Sequence, residues 1–180
     1  GHVEQFLAIR FDITWQKMSE LSLQNLAGIR RLMLDSANYS VISTDINGVI
    51  TSFNAAAERL LGYKEEDVVG RMTPAAIHDV QEVVERTQVL NREFGLQLEP
   101  GFETFVAKAK IAGHDENEWT YIARDGRRFP VALSVTVLRD SQGGISGYMG
   151  FAQDLTEKKQ LEEKLESQRT SLFQSSKMAS

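Results

Sequence analysis

The chain of 180 residues has no cysteine, only three prolines and 13 glycines, and no long apolar run. Without cysteine there can be no disulfide, no thiolate metal site, no thiolate nucleophile and no cofactor attached through sulfur. Few prolines and glycines favour regular helices and strands over long loops. The longest uncharged stretches, such as VALSVTVL at 131–138, fall far short of the roughly 20 apolar residues of a membrane span. We therefore expect a cytoplasmic protein with no membrane span and no signal peptide in this sequence.

Positive charge is also in short supply, with 20 Lys and Arg against 25 Asp and Glu. The acid surplus lies in residues 64–118, which hold 12 acidic and 6 basic residues. Nucleic-acid binding needs a basic surface that neutralises phosphates, so we expect no nucleic-acid partner. The sequence has no Ser-His-acid order, no glycine-rich phosphate loop and no cluster of metal ligands. We therefore expect neither catalysis nor metal binding within this chain.

Two similar segments stand near the two ends of the chain, VEQFLAIRFDITWQK at 3–17 and ISGYMGFAQDLTEKK at 145–159. In each, alternating apolar residues of a strand lead into Asp-x-Thr, whose side chains can cap the first turn of a helix. The repeat predicts that residues 1–14 are the last strand of a preceding, similar domain. The chain then looks like a piece of a longer array of domains.

Each copy of the repeat is followed by a helical pattern. Residues 15–37 have apolar residues at helical spacing and predict a linker helix. In residues 157–180, Leu161, Leu165 and Leu172 fall on a heptad seam with polar interruptions at Gln168 and Ser175. So narrow a seam does not stabilise a lone helix in water. We expect a coiled coil and a homodimer formed through these flanking helices.

Residues 38–156 are predicted to form the central domain, in which short strands alternate with helices. The predicted elements are strands at 40–45, 48–54, 118–124, 128–140 and 146–156 and helices at 55–63, 64–70, 77–95 and 101–113. An Asn-Gly pair marks a hairpin turn between the first two strands. This order predicts an α/β (α+β) fold with one five-stranded antiparallel sheet and its helices on one face.

Two stretches carry a family resemblance, TDINGVITSFNAAAERLLGYKEEDVVGR at 44–71 and WTYIARDGRRFPVALSVTVLRDSQGGISGYMGFAQDLTEKK at 119–159. Together they resemble a PAS domain, through Asp-x-x-Gly, Asn54 before a small-residue helix, Gly62-Tyr63, Arg124-Asp125-Gly126 and the closing Asp-x-Thr. The resemblance implies the PAS fold, in which sheet and helices enclose a small cavity. SSKMAS at 175–180 is similar to the segment ahead of the phosphoacceptor helix of sensor histidine kinases. It implies a kinase core further along the same chain, which would carry the enzymatic activity.

The cavity of a PAS domain would be lined by residues on the inner faces of strands and helices. Nine candidates follow from strand alternation and helix faces: Leu60, Ile77, Phe102, Phe105, Trp119, Tyr121, Val135, Met149 and Phe151. The alternative is that these residues only fill the core. A small-molecule ligand is a possible partner, and its identity is open. The candidates for a polar group among them are Tyr39, Ser43, Thr73, Thr120 and Gln153.

Cofactors can be compared with the residues available. The absence of cysteine excludes the flavin–cysteine and thioester-linked chromophores of the family. A non-covalent flavin stays open because Trp119 and Tyr121 could stack on its ring, and the absence of any cofactor is also open. Haem would need an axial ligand, and His78 is the one histidine on a predicted helix that could face the cavity. The alternative reading of His78 is a surface or helix-capping histidine, and His114-Asp115-Glu116 is predicted to be a loop.

Signal transfer is predicted to use two sets of residues. The resemblance implies that an acid on the first helix, Glu58, pairs with a base on the hairpin, Arg124. Asp154 and Thr156 are expected to cap the outgoing helix, so that a shift of the last strand changes the exit of that helix. The sequence thus predicts a PAS sensory or dimerisation module of a two-component sensor histidine kinase. The alternatives are a ligand-free relay module and a flavin- or haem-based redox or gas sensor.

Overall fold

A computed structural model describes residues 39–179. Its elements, in chain order, are β1 (Tyr39–Thr44), β2 (Ile50–Phe53), α1 (Ala55–Leu61), α2 (Glu65–Val68), a 3-10 turn (Pro74–Ile77), α3 (Val80–Phe94), α4 (Phe102–Ala112), β3 (His114–Ile122), β4 (Arg128–Arg139), β5 (Ile145–Asp154) and α5 (Thr156–Met178). The predicted strand at 1–14, the predicted helix at 15–37 and Ser180 lie outside the described residues. Among those that are described, no helix is long and apolar enough to cross a membrane.

The five strands form one sheet in the order β2-β1-β5-β4-β3, and every pairing is antiparallel. This confirms the predicted sheet and the insertion of the helices between the second and third strands. β5 lies at the centre, where it pairs with β1 on one side and β4 on the other. The strand that leads directly into α5 is therefore the best supported strand of the sheet.

Short polar signals begin and end the helices that cover the sheet. The Asn54 side chain accepts a hydrogen bond from Ala57 N–H and begins α1, and Gly62 ends it with φ of 74°. The Asp79 side chain accepts from Glu82 N–H and begins α3. Gly95 then ends α3 with φ of 63°. Single residues at the ends of these helices therefore specify where each helix begins and ends.

One continuous core lies between the inner face of the sheet and the helices. On β4, Phe129, Val131, Leu133 and Val135 are buried in strict alternation, as the sequence pattern predicted. Trp119 and Tyr121 on β3 face the same core from the edge of the sheet. Burial of aromatic and branched side chains of this size is the main stabilising contribution to such a domain.

Two predicted boundaries are wrong by more than two residues, and both errors concern polar residues. The helix expected from residue 77 begins at Val80, because Pro74 starts a separate turn and His78 and Asp79 are extended. The triplet His114-Asp115-Glu116 was expected to be a loop but begins β3. In both places, contacts with residues distant in sequence fix the backbone. His78 bridges to Tyr121, and β3 pairs with β4 from His114 onward.

Candidate functional site

A cavity of about 30 Å³ lies between the inner face of the sheet and the helices. Its walls come from β1, β3, β4, β5, α4 and the turn before α3, and its lining residues are Ile42, Thr44, Pro74, His78, Phe102, Phe105, Val106, Tyr121, Leu133, Val135, Tyr148 and Gly150. A space of this size holds about two or three water-sized groups, since one such group needs roughly 10–15 Å³. None of the lining residues is an acid, a lysine or an arginine.

The structure places four of the nine predicted lining residues at the cavity: Phe102, Phe105, Tyr121 and Val135. Ile77 and Trp119 are buried in the core beside it. Leu60 is half-buried on α1, where its carbonyl oxygen accepts a hydrogen bond of 2.7 Å from the Arg127 guanidinium. These three residues were assigned to the correct side of the fold but do not line the cavity.

Met149 and Phe151 are the clearest correction, because they lie on the opposite face of β5. Gly150 is paired with Ile42 on β1 and with Val135 on β4, and directly paired residues share a face of the sheet. Tyr148 and Gly150 therefore face the cavity. Bulk alone predicts that Met149 and Phe151 point inward, but on that face the Leu133 side chain lies close to the backbone of β5. A Cβ atom on Gly150 would lie 3.2 Å from Leu133 Cδ1.

His78 is the most unusual lining residue, since it is only 2% exposed. Its backbone is extended and bridges to Tyr121 on β3. Its ring packs against three aromatic rings, with centroid distances of 4.2 Å to Phe105, 4.8 Å to Tyr121 and 5.5 Å to Trp119. The expectation of a surface histidine is wrong, and the helix that His78 caps is the short 3-10 turn at its C-terminal end rather than α3. The helix was predicted to begin three residues before Val80, which concealed that the residue before the Asp79 cap points inward.

The chemistry of His78 is set by burial and one hydrogen bond. Nδ1 lies 2.6 Å from the Pro74 carbonyl oxygen, and burial lowers the pKa of the imidazole to about 4. A carbonyl oxygen only accepts, so Nδ1 carries the proton and Nε2 presents a lone pair. Nε2 is buried and has no hydrogen-bond partner among the protein atoms. Burial also raises the pKa of the Tyr121 hydroxyl, which stays protonated.

The donor chemistry of His78 fits an axial haem ligand, because metal-binding histidines commonly donate their other ring N–H to a backbone carbonyl. The size of the cavity, however, does not fit a haem. A cavity of about 30 Å³ is far below the roughly 300–1,000 Å³ typical of cofactor and ligand pockets. The same comparison applies to a flavin ring, and Trp119 does not line the cavity. The residues present therefore suit a much smaller guest than either cofactor.

Polar contacts attach the start of α3, next to His78, to the β3–β4 hairpin. Glu82 accepts hydrogen bonds from the N–H and the hydroxyl of Thr120, at 2.7 Å and 2.6 Å. Asp79 donates its N–H to the Thr120 carbonyl oxygen at 3.1 Å and forms an ion pair with Arg128. A displacement of His78 would therefore act on the hairpin through residues next to it.

The first turn of α5 is attached to the same hairpin. Leu155 donates its N–H to the Pro130 carbonyl oxygen at 2.9 Å, and Pro130 is paired directly with Thr120 across the hairpin. Lys159 forms an ion pair with Glu118 on β3 at 2.6 Å, and this hydrogen bond raises the pKa of Lys159. The hairpin thus contacts the cavity wall on one side and the start of α5 on the other.

Asp154 and Thr156 lie at this junction, but neither of them is the N-cap residue of α5. Leu155 occupies the N-cap position of α5, with no capping hydrogen bond from its side chain. Asp154 Oδ1 accepts from the N–H and the hydroxyl of Thr156, at 2.8 Å and 2.5 Å. The carboxylate therefore satisfies one free N–H of the first turn from the residue before the cap.

Glu58 and Arg124 have different partners from those implied by the resemblance. Glu58 forms an ion pair with Lys64 at 2.9 Å, and hydrogen bonds from Glu65 N–H and Lys64 lower its pKa. Arg124 forms an ion pair with Asp67 on α2 at 3.1 Å. The predicted Glu58–Arg124 pair is therefore replaced by two separate contacts, both at the surface.

Asp115, from the supposed loop, joins three elements. It is 5% exposed and forms ion pairs with Arg86 on α3 at 3.6 Å and Lys108 on α4 at 3.3 Å. Asn117 donates a further hydrogen bond of 2.8 Å to the carboxylate. The even spacing of Asp115 from Trp119 and Tyr121 is the signal that it faces inward, whereas no local feature identifies its partners on α3 and α4.

Comparisons with known proteins agree with this architecture. The family described as the PAS fold matches residues 28–155. Sensor protein FixL of Bradyrhizobium diazoefficiens is 25% identical over 179 residues, which is 99% of this chain and 33% of that protein. The C4-dicarboxylate transport sensor protein DctS of Rhodobacter capsulatus is 27% identical over 147 residues, 81% of this chain and 20% of that protein.

A solved structure gives the same result for the fold. The PAS domain of a protein from Colwellia psychrerythraea superposes with a TM-score of 0.55 at 19% identity, over 73% of this chain and 98% of that one. The chain spans about a third or less of the curated relatives that it matches. Its sheet order, the cavity between sheet and helices, and the family match over most of its length place this chain in the PAS family.

Proposed function

We propose that this chain is the sensory and dimerisation module of a sensor histidine kinase, and that it passes a cavity or upstream signal to α5. The observation that carries the proposal is the attachment of the first turn of α5 to the β3–β4 hairpin, through the Pro130–Leu155 hydrogen bond opposite Thr120. The similarity to two proteins described as sensors supports the sensory part. The kinase part rests on the sequence at 175–180.

The proposed route starts at His78 and ends in a change of the direction of the α5 axis. Movement of the cavity wall shifts Asp79 and Glu82, which bind Thr120 and Arg128. The hairpin transmits this shift to Leu155 through Pro130, and β5 transmits it through Asp154. Because α5 is long, a small change in its first turn becomes a large displacement at its end.

The proposed output is a change in the packing of two α5 helices. Leu161, Leu165 and Leu172 are 59%, 56% and 73% exposed, and α5 contains no buried residue. A second copy of the helix would cover this seam. The polar residues Gln168 and Ser175 within it weaken any single arrangement, which suits a switch.

The dimer is tested by light scattering of the wild type and of Leu165→Lys. A lysine in the seam places two charges against each other, so we expect the variant to have the mass of a monomer. Ser167→Lys adds the same charge on the opposite side of the same helix and should leave the dimer intact. An unchanged mass for Leu165→Lys would refute the proposed coil.

The relay is tested with a spin label, which the absence of cysteine makes simple. Ser167→Cys provides one labelling site, and the distance between the two labels in the dimer reports the packing of α5. Thr120→Val removes one hydrogen bond to Glu82 and should change or broaden that distance. Thr136→Val, on an exposed position of β4, should not. Equal distances in all samples would mean that the hairpin does not control α5.

The small cavity favours one alternative, a relay that responds to its upstream neighbour without any ligand. An absorption spectrum together with native mass spectrometry separates the readings. Colour would indicate a flavin or haem, extra mass without colour would indicate a small ligand, and neither would favour the ligand-free relay.

A further inference from the structure

Two residues that line the same cavity each carry a buried polar atom without a hydrogen-bond partner. Among the described residues, the side-chain atoms in this state include His78 Nε2 and Thr44 Oγ1. Both residues line the cavity of about 30 Å³. Buried polar atoms are nearly always paired in native proteins, because an unpaired one has lost its hydrogen bonds to water without replacement. Two of them at one small cavity indicate a site for a polar guest.

The His78 ring is held in a single state in which Nε2 can only accept. Pro74 lies in a 3-10 turn whose geometry fixes its carbonyl oxygen 2.6 Å from Nδ1. The ring is further held between Phe105 and Tyr121. Burial keeps the imidazole neutral, so the lone pair on Nε2 remains available at ordinary pH. The guest must therefore supply an N–H or O–H donor.

Thr44 adds a second and more permissive contact. It ends β1 on the inner face of the sheet and is paired with Tyr148 on β5. Its hydroxyl can both donate and accept, so it places little restriction on the second polar atom of a guest. Its 5% exposure means that any partner has to come from within the cavity.

The rest of the lining restricts the charge and the size of the guest. Most of it is aliphatic or aromatic, and none of it is an acid, a lysine or an arginine. A charged molecule would lose its hydration with no opposite charge to replace it. The available space accommodates a molecule of only a few heavy atoms.

We propose that Thr44 and His78 form the recognition site for a small uncharged molecule, of the size of a short alcohol or amide. The molecule donates a hydrogen bond to His78 Nε2 and shares a second one with Thr44 Oγ1. The site rests on the proposed function in one respect, since its occupancy would be the signal that reaches α5. Binding moves the wall that carries His78, next to the Asp79 and Glu82 contacts with the hairpin.

The test observes the His78 ring directly. The whole chain is labelled with ¹⁵N-histidine, the His78 signals are assigned by their loss in His78→Gln, and ethanol or acetamide is added. Acceptance of a hydrogen bond shifts the Nε2 resonance upfield, and we expect a saturable shift of this sign. Xenon, which cannot donate, serves as the apolar probe and should leave that resonance at its free position.

Thr44→Val is the matched variant, because valine has the shape of threonine without the hydroxyl. We expect it to weaken the binding of acetamide about tenfold, as the loss of one hydrogen bond implies. The exposed Thr136→Val should bind as the wild type does. If Nε2 does not respond to either donor, or if Thr44→Val binds equally well, the site is refuted. A cavity that holds only water would appear as such a lack of response.

The same samples separate this inference from the proposed function. If acetamide shifts the His78 signal but leaves the spin-label distance in α5 unchanged, the site exists and the signalling proposal fails. If acetamide does not bind while Thr120→Val still changes that distance, the relay stands and the recognition site fails.

Discussion

The folded domain and helix α5 differ in the exposure of their leucine side chains. Leu61 at the end of α1 has no exposed surface, whereas Leu172 in α5 is 73% exposed. The domain encloses a continuous core, while none of the 23 residues of α5 is buried. Isolated helices are marginal in water, and most helix stability in proteins comes from packing of an apolar face. The domain therefore has an apolar core of its own and α5 has none, which is the arrangement that the proposed dimer requires.

The largest test of this difference removes one leucine from each region. Leu61→Ala leaves a hole in a closed core and should lower the free energy of unfolding by about 2–5 kcal/mol. Leu172→Ala removes a side chain that contacts mainly solvent in the single chain, and should change it by less than about 0.5 kcal/mol. Urea denaturation at low protein concentration measures both values. Similar losses in the two variants would mean that α5 packs on the domain.

A buried charge provides the second test, because Asp115 ties α3 and α4 to the edge of the sheet. Asp115→Ala leaves Arg86 and Lys108 without their acid and should cost about 2–3 kcal/mol. The expected loss is below that of a fully buried pair, since the Lys108 side chain is 40% exposed and can be hydrated again.

Its neighbour Glu116 is the matched control, since it is an exposed acid on the same strand. Glu116→Ala should change the free energy of unfolding by less than about 0.5 kcal/mol in the same denaturation experiment. If both acids prove dispensable, the ion pairs do not hold the helices to the sheet.

The sequence sufficed for features that neighbouring residues determine. Asn54 caps α1, Gly62 ends it, and the alternation along β4 identifies its buried face. These signals act over a few residues, so no knowledge of distant contacts was needed. The single antiparallel sheet also followed from the pattern of strands and helices, whereas the order of its strands was not predicted.

Features that depend on distant partners were not predictable. The buried face of β5 depends on its pairing with β1 and β4, and bulk alone suggested the wrong one for Met149 and Phe151. His78 looked like a residue of an acid-rich helix until the Pro74 turn placed it in the core. The partner of Arg124 turned out to be Asp67, because several acids lie within reach of a long side chain.

The smallest expected effect is that of pH on the stability of the domain. Helix α5 contains no histidine, so the titration of histidine does not act through that helix. Burial lowers the pKa of His78 in the folded state to about 4, whereas an unfolded histidine titrates near 6.5. Between these values the unfolded chain binds a proton that the folded protein excludes. This contribution is therefore absent above about pH 7, lowers stability as the pH falls through 6.5, and stops growing below about 4.

The size of this effect follows from the separation of the two pKa values. At pH 5 the wild type should have lost on the order of 2 kcal/mol relative to pH 7 through His78. His78→Phe keeps an aromatic ring in the core and removes the titration, so its loss over the same range should be smaller by that amount. His114→Gln, at an exposed position of β3, should retain the wild-type dependence. If His78→Phe lost as much stability as the wild type, water or another proton donor would have to reach the ring in the folded state, and the small uncharged guest proposed for Nε2 would face a competitor for that site.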